Sequence, residues 1–151
     1  MNEYDSTKDT LLHIKRVNEL LVFATIELLR RAVVHDASKL EWPEKECFDI
    51  ITPRLKETTY GSEEYKKTMN EFRSSIDHHQ KNNPHHPEYY ENGINGFDLF
   101  DLIEMFFDWK AASERHSDGD ILKSIKINAD RFNYGDIITN IFINTFDRYL
   151  K

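Results

Sequence analysis

The sequence predicts an all-α protein, a single compact helical bundle over residues 1–151 that resembles no sheet-containing class. Three observations predict it. Apolar residues recur at helical spacing along most of the chain, no run alternates with the period of a strand, and only one extended polar loop interrupts the pattern. A chain of 151 residues is also long enough to bury one hydrophobic core without disulfide or metal staples.

The elements follow in order. Leu12, Val17, Leu20, Leu21 and Ala24 share a helical face behind Ser6, Thr7 and Asp9 as possible caps. Glu27 to His35 reads as a second helix, although no Gly or Pro separates it from the first. Pro43 and Glu44 suit a first helical turn and open a third segment, ended or kinked near Pro53. Gly61 gives a turn and Ser62 a cap before a long helix to about Gln80. "KNNPHHPEYYENGING", residues 81–96, is the polar loop, held by Pro84, Pro87, Gly93 and Gly96. Three more helices are expected, from Phe97 to His116, Asp120 to Arg131, and Asp136 to the end.

Composition excludes several classes. Twenty Lys and Arg against 27 Asp and Glu leave a formal net charge of −7, which argues against the basic face that duplex nucleic acid requires. A lone Cys47 excludes an intramolecular disulfide framework and fits a reducing compartment. The opening MNEYDSTKDT has no apolar secretory region, and no apolar run approaches the length of a bilayer span. A soluble, cytoplasmic protein with no membrane partner is expected.

Polar residues with chemistry gather in three places. "AVVHDASKLEWPE", residues 32–44, runs small apolar residues straight into His35-Asp36. Burying that pair is costly unless a metal or a hydrogen-bonding neighbour satisfies it. Six of the seven histidines fall at His13, at His35, and in "HHQKNNPHH" as His78, His79, His85 and His86. Met69, Phe72, Ile76 and His79 are spaced i, i+3, i+7 and i+10, so His79 points with core side chains while His78 turns about 100° away. His13 lies on the apolar face of Val17 and Leu20. In "FDLFDLIEMFFDWKAA", residues 97–112, a helix apolar almost all round carries Asp101, Glu104 and Asp108 as one acidic stripe. Carboxylates on a buried helix need a cation, either a metal or Arg and Lys from neighbours. Inward histidines on separate helices tip the choice toward a metal.

His13, His35-Asp36 and a later Asp on a buried helix resemble the HD superfamily of metal-dependent phosphohydrolases, and "HDASK" looks like its HD-x-x-K motif with Ser38 where many members have Gly. More closely, "HDASK", "HHQKNNPHH" and "EMFFDW" together resemble an uncharacterised HD-like family found in phages and bacteria, over roughly residues 10 to 115. The resemblance implies an HD-like helical fold and His13, His35, Asp36 and Asp108 as metal ligands. It also implies a role for the double-histidine run, similar to the extra histidines of two-metal enzymes. Asp101 competes with Asp108 for the last ligand position. One continuous helix would hold His13 and His35 about 33 Å apart, so a bend near Phe23 to Ile26 is required.

The expected cofactor is one or two divalent transition-metal ions (Mn, Fe, Co, Ni or Zn), held by His13, His35, Asp36, His79, His86 and Asp108. Asp36 would hold the metal and orient the attacking hydroxide, and Lys39 would bind a substrate phosphate or neutralise developing charge. His85 and His86 would supply one metal ligand and one proton donor, taken as His86 and His85 respectively. Glu104 sits one turn before Asp108, placed to orient a ligand histidine. Lys81, with Arg30, Arg31 and Arg115, is a phosphate contact by charge alone. The expected activity is a phosphohydrolase or phosphodiesterase acting on a small phosphorylated metabolite, a nucleotide first. The alternatives are a di-iron oxygenase on the same scaffold and a non-enzymatic helical protein, stapled by metal, that binds a host protein.

Overall fold

The computed structural model describes residues 4–59, 61–115 and 119–151, and over these the protein is all-α, with no strand. Its contacts divide it into two compact units, residues 1–35 and 36–151, where the sequence suggested a single bundle.

The first unit is one helix, α1 (Thr7–Val34), of 28 residues. The two helices expected here are continuous because nothing between residues 7 and 34 stops them: the stretch has no Gly or Pro, and the Thr25 hydroxyl is occupied by the Leu21 carbonyl one turn back, at 2.9 Å. No residue of α1 is buried. The required bend at Phe23 to Ile26 is absent. His13 therefore stands 22 residues before His35 along a straight rise, about 33 Å away.

The second unit begins with a tight reversal. Asp36 has φ 56°, in the left-handed region that Asp enters more readily than most residues, and leads into the short 3₁₀ turn Ala37–Leu40. Helix α2 (Glu44–Lys56) then absorbs Pro53 without ending there. Ser62 caps α3 (Glu63–Glu71) by accepting the Tyr65 amide at 3.1 Å, as the sequence suggested. The expected long helix breaks at Phe72, and α4 (Arg73–Asn82) starts afresh. Met69 and Ile76 nevertheless meet around one small core of Cys47, Ile51 and Ile76, because Phe72 packs there too.

The polar loop carries two short 3₁₀ turns, Pro87–Tyr89 and Gly93–Gly96, and delivers α5 (Leu99–Ser113). The expected end of that helix at His116 lies outside the described residues. Asp120 caps α6 (Ile121–Phe132) by accepting the Leu122 and Lys123 amides. Helix α7 (Gly135–Tyr149) completes the unit. Helices α5, α6 and α7 enclose the larger core of Met105, Phe106, Ile121, Ile125, Tyr134 and Phe142, where Phe106 stacks on Phe142 with centroids 5.0 Å apart. The far side of α5 is open: Phe107 is exposed, so this helix is not buried all round.

Candidate metal centre and cavity

Four side chains of the second unit, Asp36, His79, His85 and His86, bring one potential ligand atom each within 4.8 Å of one another. The reversal at Asp36, the end of α4 and the Pro-flanked loop after it supply them. His79 Nε2 lies 3.2 Å from Asp36 Oδ1 and 3.0 Å from His86 Nε2, and His85 Nε2 lies 3.5 Å from the same Asp36 oxygen. Two imidazole nitrogens thus face one Asp36 oxygen and a third, from His86, lies against His79, a donor set that would suit a transition metal better than Mg.

The tautomers of His79 and His85 are set from behind. His79 Nδ1–H donates to Glu44 Oε2 at 2.8 Å, and His85 Nδ1 lies 3.2 Å from Glu104 Oε1. A carboxylate on Nδ1 leaves Nε2 as the coordinating atom and fixes the ring plane, as in known carboxylate–histidine–metal arrangements. Glu44 is fully buried, and its charge is matched by three donors: His79, His78 Nδ1 at 2.8 Å and the Ser38 hydroxyl at 2.8 Å. Asn83 Nδ2 in turn reaches Ser38 Oγ at 3.0 Å and the His79 carbonyl at 2.8 Å. Ser38 therefore ties the reversal to the end of α4.

The electrostatics agree with the geometry. Burial by itself would raise the Asp36 carboxyl, but hydrogen bonds from His79 and His85, with Lys39 beside it, outweigh burial and hold it well below the usual carboxylate range. His86 is pushed down to about 3, first by burial and then by the charges of His85 and His79, against a smaller pull from Asp108. It is neutral at pH 7, as a ligand must be. Burial would also raise Glu44, yet its bonds to His78, Ser38 and His79 hold it low.

The site opens onto a cavity of about 420 Å³ within the second unit, lined at this end by Asp36, Lys39, His79, His86 and Asp108. Lys39 pairs with Asp36 and lies over the Phe48 ring, 5.0 Å from its centroid. Further along, Lys56, Arg115 and Lys123 line the same cavity, and among the described residues none of these three has a carboxylate within ion-pair distance.

The expected site residues divide accordingly. Asp36, His79 and His86 are brought together, and His85 joins them as a fourth potential ligand. His85 is 1% exposed and does not line the cavity, so its ring is not placed to protonate a leaving group there. His35 is the C-cap of α1, with its amide bonded to Arg31 O at 2.8 Å, and closes the first unit. His13 is exposed on α1 and far from His35 along an unbroken helix, so the two are not brought together. Lys81 is exposed on α4 and does not line the cavity, so charge alone misplaced it, whereas Arg115 does line it. The acidic stripe splits by task. Asp108 faces the cavity, Glu104 holds His85, and Asp101 caps its own helix: Asp101 Oδ2 accepts the Asp98 amide at 3.1 Å and the Tyr90 hydroxyl at 2.6 Å. His78 lies off the ligand face, as helix phase required, but it is occupied with Glu44.

Sequence reasoning missed Glu44, Ser38 and Asn83 as the supports of His79. Glu44 looked like a helix-opening acid, and only its contact with α4, 34 and 35 positions away, reveals the role.

An all-α protein with a buried His/Asp cluster that could hold a metal ion is what this fold and donor set define. The chain belongs to the family DUF5662, a family of unknown function, which matches residues 2–147. No curated protein and no solved structure matches the chain significantly. Among the described residues, no helix is long and apolar enough to cross a membrane.

Proposed function

We propose that this protein is a metal-dependent phosphohydrolase or phosphodiesterase of the HD type, acting on a small phosphorylated metabolite. One observation carries the reading: the three-histidine, one-aspartate cluster opens through Asp36 and His86 onto a cavity whose walls also present Lys39, Lys56, Arg115 and Lys123. A divalent transition metal, when bound there, supplies Lewis acidity and water activation at neutral pH. Asp36, His79, His85 and His86 would hold it, with Glu44 and Glu104 fixing the two rings behind.

The chain's own residues do the rest. Asp36 stays ionised and accepts hydrogen bonds at the reacting end of the cavity. Lys39, half-buried beside it, places a positive charge where a phosphoryl group gains negative charge in the transition state. Arg115, Lys56 and Lys123 draw an anionic ligand inward. His85 is assigned to the metal rather than to proton donation, because it is sealed from the cavity.

One observation favours a second reading. Four donors already suffice to close a tetrahedral sphere, which would make the metal a staple. The test is a phosphatase and phosphodiesterase screen of protein purified free of metal, with Mn, Mg, Co, Ni and Fe added singly. Metal-dependent release of phosphate that is lost in Lys39→Ala, with metal still bound, supports catalysis. Tight metal binding with no turnover of any phosphate ester supports the staple.

A further inference from the structure

We propose that the cavity holds a second anionic group away from the metal cluster, so that its ligand is a two-headed anion with an uncharged middle. The proposal rests on the phosphate reading above and names the class of phosphate ester that the same site takes.

Three helices each carry one cavity residue near the cluster and a cation well beyond it. On α2, Phe48 packs edge-on to His79 with ring centroids 5.6 Å apart. Lys56 follows eight residues later, about 12 Å along the axis. On α5, an Asp108 carboxylate oxygen lies within 4.8 Å of one of Asp36. Arg115 comes seven residues later, about 10 Å on, in the turn that ends this helix. On α6, Phe132 stacks on Trp109, the neighbour of Asp108, with centroids 6.2 Å apart. Lys123 stands nine residues before Phe132, about 13 Å away.

The charges of the cavity wall divide in the same way. Near the cluster they are matched or negative: Lys39 pairs with Asp36, Arg131 pairs with Glu88 at 2.7 Å, and Asp108 adds a carboxylate. Beyond it, Lys56, Arg115 and Lys123 face one acid, Asp120, whose Oδ1 caps α6 by accepting the Leu122 and Lys123 amides. Three cations outnumber that carboxylate. The rest of the wall is uncharged, with Ile51, Leu55, Met69 and Ala112 beside the hydroxyls of Thr52 and Ser124. A phosphoryl group at the metal leaves the three distant cations unmatched, whereas a second anion on an uncharged spacer meets them. All three are exposed, so solvent screens them from one another but not from an anion held in contact. A volume of about 420 Å³ accommodates a small ligand of this kind.

The second head is a phosphate or a carboxylate on the same small molecule. Phosphonates test for it, because hydrolysis does not cleave their carbon–phosphorus bond during a titration. The probes, added to the manganese-loaded full chain in a calorimeter, are hexylphosphonate, 1,6-hexanediphosphonate, 1,3-propanediphosphonate and 6-phosphonohexanoate. The six-carbon diphosphonate should bind about tenfold or more tightly than hexylphosphonate, and the three-carbon one, too short to span, should gain less than about threefold. If 6-phosphonohexanoate matches the longer diphosphonate, a carboxylate serves as the second head; if it lags, the head is a phosphate. Lys56→Gln, Arg115→Gln and Lys123→Gln combined should remove the gain while hexylphosphonate binds as before. Equal binding of hexylphosphonate and 1,6-hexanediphosphonate overturns the proposal and leaves the phosphate reading standing. A gain that survives the triple change, or an equal loss for both probes, overturns it too. A gain that needs the three cations but survives Lys39→Ala and removal of manganese keeps the second anion site and removes the phosphate reading. Failure of every probe to bind removes both.

Discussion

His79 answers two demands with one ring. Its Nδ1–H satisfies Glu44, a carboxylate with no access to water, and its Nε2 faces Asp36 and His86. Removing His79 therefore strips a candidate ligand and leaves the buried Glu44 charge to His78 and Ser38 alone. Glu44→Gln is the cleaner change, because it keeps the shape and only loosens the ring. It should lower metal affinity by about 10- to 100-fold, as losses behind a ligand do, and a titration showing no change would mean that Glu44 merely fills space. Asp101→Asn separates the two acids of α5 in the opposite way. Its carboxylate serves Tyr90 and the Asp98 amide, so the variant should melt earlier, with metal affinity unaltered. Reduced affinity at equal stability would place Asp101 in the site after all. At this scale the sequence revealed much: the phase of His79 against His78 follows from 100° per residue, whereas the task of Glu44 depends on a contact 35 positions away that no local pattern carries.

Elements show where local rules suffice and where they fail. The cap at Ser62 is legible because it needs only its own next turn. The break at Phe72 is not, since no Gly or Pro marks it and the packing of Phe72 beside Ile76 replaces what the helix loses. The opposite error occurs in α1, where a motif resemblance demanded a bend and the chain contains no residue to make one. Spin labels at His13→Cys and Val34→Cys, in a Cys47→Ser background, should report a separation of about 32 Å for the 21-residue rise. A distance below about 20 Å would restore the bend and with it the case for His13 as a ligand. The loop carrying His85 and His86 sets an acid limit on the metal-free protein. His86 stays neutral to about 3 when folded, while a free imidazole titrates near about 6.5. As pH falls through that interval the unfolded chain binds a proton that the native state refuses, so stability declines. Asp36 and Glu44, both held low, add stability that is present above the ordinary carboxylate range and lost as pH falls below it. Urea midpoints should therefore drop steadily from pH 7 to pH 4, less steeply in His86→Gln. A flat profile in the wild type would contradict the burial of that ring.

Across the whole molecule, the all-α class was legible because helical periodicity and the scarcity of breakers are properties of the chain itself. The division after residue 35 was not, because it depends on which helix faces find partners, and α1 leaves Leu11, Leu21, Phe23 and Leu29 exposed. The function rests on one claim, that Asp36, His79, His85 and His86 form a metal centre at the mouth of a cationic cavity. Titration of metal-stripped protein with manganese and with zinc, beside His79→Ala under the same conditions, tests that claim most directly. The expected result is saturable binding of at least one ion per chain in the wild type, and no saturable binding in the variant. Wild-type protein that takes up no ion, or a variant that binds as the wild type does, would contradict it.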